Sequence, residues 1–211
     1  MAFMPSDDRP IEVPGLPFAL VAEGAPRCAA DIDGEALLLA GGPRSDLFLD
    51  PAGDGSGPDA GRLLGEPPAG DFTLRARVDV GFRACFDAAV LFVQASSSVW
   101  AKLCLEYSPQ ERPTVVTVVT RGRSDDSNSF EVDATSVRLR VTRSGRAWAF
   151  HACTDGAWWR LVRYFTLGEH EAGLTARVGF LAQSPMGEGC RAVFDEIAFS
   201  PGAPADLRDG S

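Results

Sequence analysis

Val99-Trp100-Ala101-Lys102-Leu103-Cys104-Leu105-Glu106-Tyr107 alternates without a break. Val99, Ala101, Leu103, Leu105 and Tyr107 fall on one face, and Trp100, Lys102, Cys104 and Glu106 on the other. A period of two belongs to an extended strand, whereas a helix repeats every 3.6 residues. The first face is apolar enough to pack on a second sheet, and the other carries a ring, an ammonium, a thiol and a carboxylate. The same period recurs on both sides of this stretch. Phe72, Leu74, Ala76, Val78 and Val80 alternate with Thr73, Arg75, Arg77 and Asp79, and Val137, Leu139 and Val141 with Arg138, Arg140 and Thr142. Thr114 to Arg121 is rich in valine and threonine, whose branched Cβ suits a pleated surface. Ala147 to Cys153 follows Ser144-Gly145 as the second arm of a hairpin. Trp158 to Phe165, Thr175 to Ser184, Cys190 to Phe199, Glu35 to Leu39 and Asp46 to Leu49 complete the predicted strands. A turn of helix is expected only near Asp59 to Leu64. Pro51 to Gly61 and Arg121 to Asn128 are read as loops. Strands so spaced, each with one apolar face, predict an all-β sandwich of two antiparallel sheets.

The 211 residues hold 22 Gly and 15 Pro, spread along the chain as turn formers rather than gathered in a linker. We read residues 1–211 as one domain, with a peripheral tail after about residue 201. A hydrophobic content of 45% and a charged content of 23% fit a folded globular protein. Lys plus Arg is 20 against 29 Asp plus Glu, a net charge of −9. That charge repels phosphate backbones and anionic membranes, so neither nucleic acid nor membrane is an expected partner. No apolar run approaches the length of about 18 residues needed for a span. Met1 to Asp8 lacks the pattern of a signal peptide. Cys28, Cys85, Cys104, Cys153 and Cys190 are odd in number and contain no Cys-x-x-Cys pair, which predicts reduced thiols in a cytoplasmic protein and no zinc site.

A further set of residues recurs in a known order: Gly70-Asp71-Phe72, Trp100-Ala101-Lys102 with Glu106, Val118-Val119-Thr120 and Ser124-Asp125-Asp126. It continues with Arg143 and Trp148, Asp155-Gly156 with Trp159 and Arg163, Val178-Gly179-Phe180, Gln183-Ser184-Pro185 and Phe194-Asp195. From Asp46 onward this resembles the DUF1349 family, also called the "regulation of enolase" family after a yeast member. Many relatives carry an aromatic residue where Asp126 stands. The resemblance implies a concanavalin A-like jelly roll, the fold of legume lectins and family 16 glucanases, and fixes no activity.

The outer face of Val99–Tyr107 is the candidate site. Trp100 would stack on a sugar ring, while Lys102 and Glu106 would hydrogen-bond its hydroxyls. Asp125, from the polar stretch Arg121 to Asn128, and Arg163 would rim the cleft. Arg163 alternates with Trp159, Leu161 and Phe165, an apolar face on which a guanidinium needs a partner. His151 is read as a partly buried histidine with a backbone partner, His170 as a solvated loop residue, and Asp195 and Glu196 as structural. No aspartate-rich stretch, including Asp50, Asp54 and Asp59, has the EF-hand spacing. The family 16 Glu-x-Asp-x-x-Glu motif is absent, as are the nucleophile elbow and the phosphate-cradling loop. The expected function is therefore non-catalytic binding of a carbohydrate or polyol on the concave sheet face, with no cofactor, metal or catalytic residue assigned. The alternatives are a scaffold that binds a partner enzyme and a glycoside hydrolase or lyase that uses Glu106.

Overall fold

The computed structural model describes residues 9–24, 28–53, 59–168 and 176–210. The readings of Met1–Asp8, Asp54 and His170 fall outside these. Among the described residues the chain forms β1 (Val21–Glu23), β2 (Ala29–Asp33), β3 (Ala36–Gly41), β4 (Arg62–Gly65), β5 (Phe72–Gly81), β6 (Ala88–Ser96) and β7 (Val99–Tyr107). It continues with β8 (Pro113–Arg121), β9 (Ser124–Glu131), β10 (Ser136–Ser144), β11 (Ala147–Cys153), β12 (Arg160–Phe165), β13 (Arg177–Gln183) and β14 (Cys190–Pro201). No helix among them is long and apolar enough to cross a membrane.

The strands assemble into two seven-stranded sheets, β1-β4-β13-β6-β7-β8-β9 and β12-β11-β10-β5-β14-β3-β2. All neighbours are antiparallel, and the sheets stack as a concanavalin A-like jelly-roll sandwich. The alternation fixes which side chains meet between the sheets. Ala101, Leu103 and Leu105 of β7 and Leu74, Ala76 and Val78 of β5 join the main core with Phe72, Trp148, Phe150, Phe180 and Phe194.

Four local readings change. β6 has no polar alternation, so its sequence carries no period-two strand signal. It is buried on both faces, with Ala89, Leu91 and Val93 in the main core and Ala88, Val90 and Phe92 in a second apolar cluster. Ser124 to Asn128, expected to be loop, belongs to the edge strand β9. Its side chains are mostly exposed, so it carries little hydrophobic signal. The turn of helix expected near Asp59 to Leu64 gives way to β4, an extended segment paired with β1 and β13. Asp46 to Leu49 is extended but joins no sheet as a strand. Ser45 bridges Ser184 at the end of β13. At the other end Leu49 N–H donates to Ser124 Oγ (2.9 Å), and Ser124 N–H donates to the Leu49 carbonyl (2.8 Å). The segment is a strap across the outer face of the first sheet.

The tail after Pro201 lies on the outer face of the second sheet. Trp159 N–H donates to the Gly210 carbonyl at 3.0 Å, and the Arg208 guanidinium sits 5.2 Å from the centre of the Tyr164 ring. The tail covers His151, which is 0% exposed and has its Nε2 2.8 Å from the Leu207 carbonyl. Burial holds the His151 imidazole down at about 4, so it is neutral and donates from Nε2. All five cysteines are free.

Candidate functional site

Register carries the outer face of β7 across to its neighbours: Lys102 pairs with Val118 of β8, and Val118 with Asp126 of β9. Residues directly opposite in an antiparallel pair point to the same side. Lys102, Val118 and Asp126 therefore share the outer face, whereas Asp125 points inward. The strap lays Leu47, Phe48 and Leu49 over this face and closes a second apolar cluster with Phe92, Trp100, Cys104, Val116 and Val118.

Trp100 lies in that cluster at 1% exposure, 5.9 Å from the Phe92 ring. Its ring is a packing surface beneath the strap rather than an open platform, because Leu47–Leu49 occupy the side where a sugar would stack. Lys102 is 2% exposed, yet it is paired. Its ammonium donates to Gln183 Oε1 at 3.0 Å and lies 3.5 Å from Asp46 Oδ1. A buried ammonium with such partners is anchored, since removing them would leave an uncompensated charge. Cys104, between Lys102 and Glu106, has its thiol pushed well up by burial and is no nucleophile.

Around Lys102 the strap, β7, β8, β9 and β13 enclose a pocket of about 280 Å³. It is lined by Asp46, Phe48, Phe86, Lys102, Glu106, Val116, Val118, Asp126 and Gln183. Glu106 is held up at about 7, chiefly by burial. The Lys102 charge opposes that rise, and Asp46 and Asp126 add to it. Near neutrality Glu106 therefore exchanges a proton and can donate or accept a hydrogen bond.

The rim beside Phe86 is built by Asp87, which is fully buried. Its Oδ2 accepts from the N–H groups of Arg83 (2.8 Å) and Ala84 (2.9 Å), and its Oδ1 from Ser184 Oγ (2.6 Å). This turn holds Phe86 at φ 68°, a left-handed conformation that a bulky residue adopts only when its surroundings impose it.

Asp125 and Arg163 do come together, on the other side of the first sheet. Arg163 Nη2 lies 3.0 Å from Asp125 Oδ1, and Nη1 donates to Thr117 Oγ1 (3.3 Å) and the Asp125 carbonyl (3.2 Å). β9 and β12 are the edge strands of the two sheets, so the pair clasps the open side of the sandwich. It supplies the partner that Arg163 needs, and it does not rim the pocket. The pocket instead recruits Asp46, Phe48, Phe86, Asp126 and Gln183. Sequence held a partial signal for these: Asp46–Leu49 read as extended, and Asp126 and Gln183 stood in the quoted motifs. Nothing in the sequence showed that the strap would cross the sheet. Among the described residues no group of three His, Cys, Asp or Glu side chains is placed to hold a metal ion.

The family model for DUF1349, proteins of unknown function, matches residues 25–202. No curated protein matches the sequence. Among solved structures, a functionally unknown protein from Saccharomyces cerevisiae superposes with a TM-score of 0.74 at 20% identity, over 88% of this chain and 97% of that one. Xylan β-1,4-xylosidase from Bacillus halodurans gives a TM-score of 0.69 at 14% identity, over 92% of this chain and 38% of that one. A GH43 protein from Bacillus licheniformis gives 0.66 at 16% identity, over 88% and 37%. The chain spans about two fifths of the length of the two Bacillus proteins, and at these identities the likeness is one of fold.

Proposed function

This chain belongs to the DUF1349 family of proteins of unknown function, and from that premise we propose that it binds a saccharide or similar polyol in the pocket over β7. One observation carries the reading: a buried, anchored ammonium and an amide share a small cavity with three carboxylates and apolar walls. Lys102 and Gln183 at the floor offer donors, Asp46, Glu106 and Asp126 offer acceptors, and Phe48, Phe86, Val116 and Val118 offer carbon surface. A polyol needs that mixture, because each hydroxyl both donates and accepts while the C–H faces seek apolar contact. The volume of about 280 Å³ suits one ring rather than a long chain. In this reading Trp100 packs beside Lys102 under the strap, and Asp125 and Arg163 hold the sandwich shut.

The test is calorimetric titration with a panel of neutral monosaccharides, disaccharides and alditols, repeated with Asp126→Ala. Asp126 is exposed on an edge strand, so its loss leaves the fold intact. We expect a hit that weakens about tenfold in the variant, as for loss of one charge-assisted contact. Absence of binding across the panel, or a hit indifferent to Asp126→Ala, overturns the reading.

A second reading is favoured by the Glu106 carboxyl at about 7, the range a general acid or base requires. Glu106 would then protonate or deprotonate a bound sugar. Glu106→Gln should abolish turnover of aryl glycosides while leaving sugar binding in place. If no glycoside is turned over by the native protein, the binding role stands alone.

A further inference from the structure

The outer face of the second sheet carries arginines in opposed pairs. Arg75 of β5 stands directly across from Arg140 of β10, and Arg77 from Arg138. Like charges directly opposite on neighbouring strands are unfavourable, so each pair calls for anions. One pair receives them from the same sheet. A bulge in β14 leaves Asp195 in register with Arg77 and makes Ala198, not Ile197, the partner of Arg75. At the bulge Glu196 adopts φ 49° and projects to the same outer side as Asp195. Asp195 Oδ2 then accepts from Arg77 Nη1 at 2.7 Å, and Glu196 takes Arg138 in a two-pronged pair at 2.7 and 2.8 Å.

The Arg75–Arg140 pair is treated differently. The residue across from Arg75 on β14 is an alanine, and Arg75 has no hydrogen bond or ion pair among the described residues. Arg140 is 6% exposed, and its guanidinium lies 4.6 Å from the centre of the Trp159 ring, which fixes its plane. Burial first, and the Arg75 charge next, hold Arg140 down at about 10, while Asp209 of the tail offsets part of that charge. Two adjoining cavities, of about 120 and 330 Å³, are both lined by Arg75 and Trp159; the larger is walled by Arg140 and the stretch Ser200 to Pro204. Trp159 is on this side because β12 pairs irregularly with β11: Arg163 opposes Phe150 and Leu161 opposes His151, so Val162 is the extra residue and the faces exchange. Asp155 pins the preceding turn by accepting from the N–H groups of Ala157 (2.9 Å) and Trp158 (2.8 Å).

We propose that Arg75 and Arg140, beside Trp159, form a binding site for a small ligand bearing an oxyanion, a carboxylate or a phosphate monoester, on the sheet face opposite the polyol pocket. The exposed Arg75 guanidinium can give paired N–H donors to such a group, Arg140 adds its positive charge from the adjacent strand, and the indole offers a flat wall to whatever carries it. The net charge of −9 argues for a discrete anion held by local geometry rather than a polyanion held by field. The site shares no residue with the pocket over β7 and stands or falls independently of it.

The experiment is calorimetric titration of the full chain with inorganic phosphate, acetate and glucuronate in a chloride buffer of constant ionic strength. Arg75→Ala and Arg146→Ala are compared with the native protein. Arg75 is exposed, so its variant folds, and Arg146 lies in the exposed β10–β11 turn and controls for net charge. We expect saturable one-to-one binding of at least one probe, weakened about tenfold by Arg75→Ala and unchanged by Arg146→Ala. Binding of phosphate alone, or of the two carboxylates alone, decides the source of the oxyanion. No saturable binding, binding indifferent to Arg75→Ala, or equal loss in both variants overturns the proposal.

Discussion

Asp87 commits both of its carboxylate oxygens to neighbours, two backbone N–H groups on one and the Ser184 hydroxyl on the other, with none of the side chain reaching solvent. Asp87→Ala would orphan one buried and two part-buried donors, and we expect a loss of about 3 kcal/mol in urea unfolding, at about 1–3 kcal/mol for a stranded group. Asp87→Asn, which keeps an acceptor, should lose less. The same turn imposes the φ of Phe86, so any ligand of the pocket should also bind Asp87→Ala more weakly. Trp100 behaves in the opposite sense to Asp126. Trp100→Ala removes a ring from a closed cluster and should cost about 3–5 kcal/mol of stability. Asp126→Ala should leave the urea midpoint nearly unchanged while weakening binding. A stability loss below about 1 kcal/mol for Trp100→Ala, against the usual cost of an emptied core site, would mean that the ring is not packed as described.

Among the elements, β13 tolerates least. A Cβ on Gly179 would stand 1.9 Å from the Leu63 carbonyl oxygen of β4, so Gly179→Ala must push two paired backbones apart. We expect about 1–3 kcal/mol of destabilisation and faster amide exchange in β4. The strands that alternate cleanly, β5, β7 and β10, were legible in the sequence because one face is core and the other polar. β6 was not, since the strap buries its second face and erases the alternation. β9 was not either, because an exposed edge leaves little apolar pattern to read. The site was legible in part for the same reason. Lys102 and Glu106 announce themselves as polar residues on the far face of an amphipathic strand. Whether Trp100 on that face is open or covered depends on Leu47–Leu49, more than fifty positions earlier. Asp125 and Asp126 are adjacent, and only the register of β9 against β8 decides which of them faces the pocket.

For the whole molecule, two buried titrations oppose one another with pH. Glu106 rises from 4.5 to about 7 on folding, so the folded protein holds a proton that the unfolded chain has released, and stability from this group is lost as pH rises between those values. His151 falls from 6.5 to about 4, so the unfolded chain takes up a proton that the folded one refuses, and stability is lost as pH falls through that window. Between about 4.5 and 6.5 the two slopes cancel, each amounting to roughly 1.4 kcal/mol per pH unit at most. Glu106→Gln removes one of them. Relative to the native protein, its stability should climb by up to about 1.4 kcal/mol per unit from pH 4.5 toward 7; a constant offset in parallel urea titrations would refute the burial assigned to Glu106. The extra residue in β12 has a consequence of another kind. Because the faces exchange at Val162, the side on which Trp159 stands is set by the number of residues in that strand and not by their identity. Loss of a single codon there would turn the indole toward the interior, exchange the faces of Leu161 and Arg160 with it, and strip the arginine face of its flat wall. Relatives that differ by one deletion in this strand would then differ in what that face can hold, and a comparison scored by substitutions alone would count them as the same.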